Sequence, residues 1–329
     1  MDLNNKITEE EINKAKKIIN DILIYYNSKV VGQQQLGVSI LAAMITNGHI
    51  LLESVPGLAK TTAAKVMTEA VQGIFSRIQC TPDLIPSDII GTQTYNAQTN
   101  TFENKLGPVY GNFVLLDEVN RSSAKTQSAM LEAMQEHSVT IGGTLYPMPQ
   151  VFVVIATQNP IEQEGTYVLS EAQTDRFLLK VELDYPGKEA ELEILNRIEA
   201  GVFNSSKAVA TIEDIVFLQN LGKRVYMDPA IKKYIVDIVS ATRNAEQYIG
   251  KELAGYITLG ASTRAAIAFM DAAKAMALIN GRNYVTPDDV KAMRHSVLRH
   301  RVMLNFAAVA DGVQEETIID AIFGAVVTP

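Results

Sequence analysis

An apolar run, Ile50-Leu51-Leu52, leads into Ser54-Val55-Pro56-Gly57-Leu58-Ala59-Lys60-Thr61, and a helical stretch from Thr61 to Val71 follows. A strand, a tight turn and a helix start in that order restrict the fold more than any other segment does. The turn aims successive backbone N–H groups at one point, and the helix N-terminus adds about half a positive charge there. In such a turn Lys60 reaches the β- and γ-phosphates of a nucleotide, and the Thr61 hydroxyl is placed to hold Mg²⁺. The segment departs from G-x-x-x-x-G-K-[ST] at two positions: Ser54 and Ala59 stand where that pattern has glycine, which leaves Gly57. Taken alone, one glycine before Lys-Thr is also what an ordinary helix start looks like, so the rest of the chain has to decide.

A chain of 329 residues has room for two domains, and 47% hydrophobic residues support a sizeable core. The net charge of −8, with no basic stripe, makes nucleic acid an unlikely partner. Cys80 is the one cysteine, which excludes an internal disulfide and a cysteine metal cluster. His49, His137, His295 and His300 lie far apart without ligand spacing. The segment Met1–Lys6 is polar and lacks the apolar core of a signal peptide, and the apolar stretch Val38–Ile45 is too short to span a bilayer. These features predict a soluble, cytoplasmic protein without a membrane span.

Periodicity predicts a helix from Thr8-Glu9-Glu10-Glu11 to about Tyr26, a second from about Gln35 to Thr46, and strands at Phe75–Cys80, Phe113–Leu116, Val151–Ala156 and Phe177–Leu179. A polar, Gly- and Pro-punctuated stretch at about 83–110 reads as an inserted segment with a hairpin, and Val139–Tyr146 as a hairpin turning at Gly142-Gly143. Strands alternating with helices imply a parallel sheet covered on both faces. After Pro186 the strand signal vanishes. The predicted architecture is an α/β domain over 1–186 followed by an all-helical domain over 187–329, in which Thr286-Pro287-Asp288-Asp289 starts a helix.

Asp117 and Glu118 end a buried strand, the place where parallel sheets bind ligands. Two adjacent carboxylates there need solvent or a cation. Opposite a Lys-Thr turn, Asp117 is a candidate Mg²⁺ holder and Glu118 a candidate to polarise the attacking water; the plain alternative is an exposed acidic turn. Asn159 ends the next buried strand and is placed to orient that water or contact a γ-phosphate, or merely turns the chain before Pro160. Arg176 precedes the last strand at the domain edge, where it either completes a neighbouring subunit's site or pairs with Asp175 or Glu171. Arg264 falls in the first turn of a helix capped by Ser262, where a cation is disfavoured by roughly 0.3–1 kcal/mol; this suggests an anionic partner such as a γ-phosphate, with an ordinary surface arginine as the equal alternative. Arg121 is a candidate for facing a neighbouring subunit or a pore. Val30, Val31 and Gln33 are candidates to line an adenine pocket, with a plain turn holding buried valines as the equal alternative.

The order of Val31-Gly32-Gln33, Val55–Thr61, Leu116-Asp117-Glu118-Val119-Asn120-Arg121, Ala156-Thr157-Gln158-Asn159-Pro160, Glu171–Phe177 and Ser262-Thr263-Arg264 closely resembles the MoxR-type AAA+ ATPases, over nearly the whole chain. The segments Thr81–Asp88 and Ile161–Tyr167 look like that family too. The resemblance implies a five-stranded αβα core with an all-helical lid, ATP and Mg²⁺ as cofactors, and ATP hydrolysis. It implies that Val31, Gly32, Gln33, Ser54, Val55, Pro56, Gly57, Leu58, Ala59, Lys60, Thr61 and Thr62 bind the nucleotide, and that Thr61 and Asp117 hold the metal. Lys60, Glu118, Asn159, Arg176 and Arg264 would be catalytic, with Arg176 acting in trans within a ring, commonly a homo-hexamer. Such ATPases remodel or mature protein clients, often with a partner bearing a von Willebrand factor A domain. A magnesium-chelatase-like motor, a DNA-translocating ring and a nucleotide switch without turnover are the alternatives. One departure stands out: the family usually has glycine at Ser54, whereas Ala59 is ordinary for it. A Ser54 held at positive φ would cost on the order of 1 kcal/mol.

Overall fold

The computed structural model describes residues 6–55, 57–160, 167–201 and 207–329. Helix α1 (Glu9–Lys29) opens on a reciprocal cap: Glu11 N–H donates to Thr8 Oγ1 at 3.2 Å, and Thr8 N–H donates to Glu11 Oε2 at 2.8 Å. Then come α2 (Gln34–Thr46), β1 (Ile50–Ser54), α3 (Lys60–Ala70), β2 (Phe75–Gln79), the short α4 (Pro86–Ile90), and a hairpin of β3 (Gly91–Asn96) and β4 (Thr101–Leu106). They are followed by β5 (Phe113–Asp117), α5 (Ala124–Glu136), a hairpin of β6 (Ser138–Ile141) and β7 (Thr144–Pro147), β8 (Val153–Gln158), α6 (Glu171–Thr174) and β9 (Leu179–Leu183). The remainder is α7 (Lys188–Glu199), α8 (Ile212–Arg224), α9 (Pro229–Arg243), α10 (Glu246–Ala254), β10 (Ile257–Leu259), α11 (Thr263–Ile279), α12 (Pro287–Ala292), α13 (Arg294–Leu298), β11 (Met303–Leu304), α14 (Phe306–Ala310) and α15 (Glu315–Ala325). Among the described residues no helix is long and apolar enough to cross a membrane.

The chain forms two compact units, Ile18–Leu169 with Val181–Phe217, and Met1–Lys17 with Ser170–Lys180 and Leu218–Pro329. The first is built on a five-stranded sheet in the order β2-β5-β8-β1-β9, with β2–β5, β5–β8 and β8–β1 pairing in parallel. Phe113–Leu116 of β5, Val153–Ala156 of β8 and Ile50–Leu52 of β1 are all buried, as expected for strands covered on both faces. Buried polar side chains close the amino ends of these strands. Asn112 takes the Ile74 N–H and donates to Val151 O, each at 3.0 Å. His49 accepts from Val154 N–H through Nδ1 and meets Met134 O through Nε2, each at 3.1 Å. Burial lowers the pKa of that ring to about 4, so it packs as a neutral core group. The predicted hairpins are both present, and Gly142 and Gly143, at φ 55° and 79°, make the left-handed turn between β6 and β7. Asn104 joins the two hairpins by donating to Ile141 O and Tyr146 Oη, each at 3.0 Å.

The second unit is mostly helical. Tyr234 of α9 and Phe269 of α11 meet Phe323 of α15 at ring-centroid distances of 6.3 and 6.0 Å. The predicted start at Thr286 is a capping box whose Asp289 also binds Arg282 at 2.8 and 2.5 Å. Details of the elements differ from the sequence reading; β8, for one, runs Val153–Gln158 where the apolar run predicts a strand over Val151–Ala156. A small antiparallel ribbon, β10–β11, lies within the region read as helical; its strands, three and two residues long, are too short to show a period. The last sheet strand starts at Leu179, because the carbonyls of Phe177 and Leu178 are taken by Arg301 rather than by a sheet neighbour.

His300 is buried in this unit, with Nε2 3.1 Å from Phe177 O. Burial first, then the charges of Arg301, Lys180 and Arg299, hold its pKa well below 6.5, while Phe177 O opposes them. The folded state therefore stays unprotonated where the unfolded chain takes up a proton. The stability tied to this ring is complete above about pH 6.5 and is lost as the pH falls toward the folded value. Urea unfolding at pH 7.5 and 5.5 will show a loss of up to about 1.4 kcal/mol per pH unit from this group, and His300→Gln will reduce that slope.

Candidate functional site

Ser54 is the last residue of β1, buried to 4% exposure and outside the left-handed region. Gly57 has φ 88°, and Ala59, the residue before α3, has φ 56° and ψ 21°. This reverses the expectation about the two missing glycines: the strained position is Ala59, and Ser54 sits in ordinary extended backbone. Pro56 lies outside the described residues. Leu58 is buried, Val55 and Thr61 are half-buried, and Thr62 is exposed. The α3 N-terminus has no side-chain cap and no acid in its first turn, so its amides are left for an anion. Lys60 Nζ donates to Ser54 O at 3.4 Å, which closes the loop on itself. Burial lowers the Lys60 pKa, while Asp117 and Glu118 pull it back up, so the ammonium feels both carboxylates.

Because β8 lies between β1 and β5, the residues that follow these three strands meet at one end of the sheet. Asp117 ends β5, and Glu118 turns the chain at φ 58° and ψ 54°, a left-handed conformation that costs roughly 1–3 kcal/mol for a residue with a side chain. Thr157 of β8, fully buried, holds both groups. Its hydroxyl donates to Asp117 Oδ1 and accepts from Glu118 N–H, each at 2.9 Å. From β2, Arg77 reaches Asp117 Oδ2 at 2.6 Å and Gln79 reaches Glu118 Oε2 at 3.1 Å. Arg121, read from sequence as facing a pore or a neighbour, donates to Glu118 Oε2 at 3.0 Å. Asn159 is buried one residue beyond β8, two residues from Thr157. Cys80, just past β2, is buried, and burial pushes its thiol up to about 12, so it plays no nucleophilic part.

Val31, Gly32 and Gln33 link α1 to α2 and lie against the chain leaving β9. Gln33 Nε2 donates to Asp184 O at 3.2 Å, and a Cβ on Gly32 (φ 76°) would come within 3.1 Å of Pro186 Cβ. In the other unit, Arg264 sits in the first turn of α11, and its N–H donates to Ser262 Oγ at 3.0 Å, as the cap reading predicts. Asp175 pairs with Arg301 and Arg264 in that unit, and Arg176 is half-buried next to it. Reading the sequence missed Arg77, Gln79, Thr157 and Arg301. The polar Thr157 ending a wholly apolar strand was the visible signal; the roles of Arg77 and Gln79 depend on β2 pairing with β5, which sequence does not show.

The donor set suits Mg-nucleotide: a Thr61 hydroxyl, the Asp117 carboxylate and an uncapped helix start provide oxygen donors and amides for a hard cation held mainly through phosphate. Among the described residues, no cluster of three or more His, Cys, Asp and Glu side chains forms a separate metal site.

Sheet order, phosphate loop and paired carboxylates define an αβα protein of the P-loop class with a helical lid. A sequence profile for the ATPase family associated with various cellular activities (AAA) matches residues 49–179, and the AAA lid domain profile matches 252–322. Chaperone MoxR1 of Mycobacterium tuberculosis is 46% identical over 91% of this chain and 79% of its own length. Uncharacterized protein YeaC of Bacillus subtilis is 44% identical over 93% of both. A crystal structure from Cytophaga hutchinsonii, presented as a candidate ATPase, superposes with a TM-score of 0.91 at 45% identity over 98% of each chain. The chain belongs to the MoxR-type AAA+ ATPases, a chaperone-like family.

Ala59→Gly will leave stability unchanged or raise it by up to about 1 kcal/mol, since relief of the left-handed alanine offsets the added chain entropy. Ser54→Gly, at an extended strand position, will lower it by about 0.5–1 kcal/mol. Denaturant midpoints of the two variants check the assignment. Thr157→Val will lower ATP turnover about 10–100-fold, in the range of lost supporting hydrogen bonds around a site, and Thr157→Ser will retain most of it.

Proposed function

We propose that the chain is a Mg-dependent ATP hydrolase that couples turnover to remodelling or maturation of protein complexes. The observation that carries this reading is the junction of an uncapped α3 start bearing Lys60 with the Asp117–Glu118 pair on the same sheet, close enough for Lys60 to feel both carboxylates. In this reading the loop from Ser54 to Thr62 cradles the phosphates, and Lys60 neutralises the β and γ oxygens. Val31, Gly32 and Gln33 border the base. Thr61 and Asp117 hold the metal, which supplies charge neutralisation across the phosphates when bound. Glu118 orients and deprotonates the attacking water, and the Thr157–Glu118 bond fixes the backbone from which that carboxylate projects. Asn159 positions the same water or the γ-phosphate.

Arg264 reads the γ-phosphate from the lid, and Arg176 serves the next subunit of a ring, which we take to be hexameric. Residues 1–186 carry the nucleotide chemistry and 187–329 act as the lid; the contact-defined units depart from that division at residues 1–17, 170–180 and 187–217. The name of the MoxR1 relative supports a chaperone role; protein clients and a von Willebrand factor A-domain partner are what the family resemblance implies. Nucleic acid is not part of this reading.

Purified protein will hydrolyse ATP only with Mg²⁺, and Glu118→Gln will lower kcat at least about 100-fold while nucleotide still binds. Undiminished turnover in Glu118→Gln would falsify the assignment. Mixing Arg176→Ala subunits with Glu118→Gln subunits will recover part of the activity if Arg176 acts in trans; confirmed mixed rings without recovery would remove it from that role.

A further inference from the structure

Arg301 lies just beyond α13, with its side chain only 3% exposed. It donates all five of its guanidinium N–H groups. Nε meets Asp175 Oδ1 at 2.7 Å; Nη1 meets Val297 O at 2.6 Å and Leu178 O at 3.2 Å; Nη2 meets Phe177 O at 2.6 Å and Asp175 O at 3.1 Å. Four of these five bonds end on residues 175–178, the segment that carries Arg176. His300 meets Phe177 O from the same side, and Thr174 Oγ1 donates to His300 O at 3.4 Å. The backbone on both sides of Arg176 is thus fastened to the turn after α13. Satisfying every donor is what allows a guanidinium to be buried at all. Burial lowers the Arg301 pKa while Asp175 raises it, so the carboxylate is the group that keeps the cation in place.

The second oxygen of Asp175 points elsewhere. Oδ2 accepts from Ser262 Oγ at 2.9 Å and stands 3.6 Å from Arg264 Nη1. Ser262 is the cap of α11, and its Oγ also receives the Arg264 N–H. One carboxylate therefore joins the anchor of the Arg176 segment to the start of the helix that bears Arg264. An ordinary structural ion pair would need only the Arg301 side of this arrangement.

We propose that Asp175 is a positioning residue that couples the two arginines. It fixes Arg176 through Arg301, and it holds Arg264 with an oxygen that Arg264 exchanges for a phosphate oxygen of its own subunit's nucleotide. This inference rests on the phosphate-directed roles of Arg176 and Arg264 given above. Its consequence is that the nucleotide state of one subunit alters the bonding at the root of the arginine offered to the next.

The test is steady-state ATP turnover of the full chain carrying Asp175→Asn, Arg176→Ala or both, with folding checked by circular dichroism. Asp175→Asn keeps the shape and removes the charge. It is expected to lower kcat about tenfold, the rate equivalent of losing a hydrogen bond between charged groups. The KM for ATP is expected to stay the same or fall, because Arg264 no longer has the carboxylate to leave. In the Arg176→Ala background, Asp175→Asn is expected to have almost no further effect on kcat. The same fold-loss in both backgrounds would overturn the coupling while leaving the site reading intact. If Arg176→Ala alone does not change kcat, the reading of Arg176 has failed and the coupling fails with it. If Asp175→Asn does not fold, Ser262→Gly takes its place, since glycine still starts a helix but cannot donate to Oδ2. A kcat loss in Ser262→Gly that disappears in the Arg176→Ala background supports the coupling, and one that persists unchanged overturns it.

Discussion

Burial of β5, β8 and β1 on both faces dictates where polar chemistry can sit in this molecule. Eleven consecutive-strand positions, Phe113–Leu116, Val153–Ala156 and Ile50–Leu52, are closed to solvent, so a charged side chain is tolerated only where a strand ends. The amino ends are sealed by Asn112 and His49, whose polar atoms are consumed in backbone bonds. The carboxyl ends carry the polar groups of the candidate site: Asp117, Thr157 and the loop after Ser54 lie there together. Strand order then makes the site, since β8 separates the phosphate loop from the acid pair and puts Thr157 within reach of Asp117.

Among the described residues six non-glycine positions have positive φ, Asn47, Ala59, Gln72, Asn100, Glu118 and His137, and two of them lie in this site. Ala59 and Glu118 adopt left-handed conformations that glycine or asparagine take more easily. Glu118 is held there by its N–H bond to Thr157, and Ala59 by the first helical bond of α3, in which Ala63 N–H donates to Ala59 O at 2.8 Å. Strain of this kind persists only where surrounding bonds over-determine it. The second unit solves a different problem: it buries one guanidinium by giving every N–H a partner, and in doing so fastens the loop around Arg176.

Much of this was legible residue by residue. The caps at Thr8, Ser262 and Thr286, the Gly142-Gly143 turn and the strand–loop–helix around Lys60 are local devices, decided by side chains within a few positions of the backbone they bind. The burial of β5 and β8 was readable as apolar runs. The short ribbon β10–β11 was not, because five residues carry no period. Nor were Arg77 and Gln79 as partners of the acid pair, because their meaning depends on which strand lies next to β2. Glycine counting pointed at the wrong residue: a consensus position says where glycine is common, whereas φ says where it is needed.

By itself the sequence determined the class of fold, the chain order of the sheet strands and the residue types available for chemistry, since periodicity, capping and turn preference act over short range. Only the tertiary structure decided that Thr157 spans Asp117 and Glu118, that Ala59 rather than Ser54 bears the strain, and that Asp175 is shared between Arg301 and Arg264. The contacts of Thr157 and Asp175 join residues 39 to 126 positions apart, and their bonds depend on the register and packing of whole elements, which no local pattern encodes.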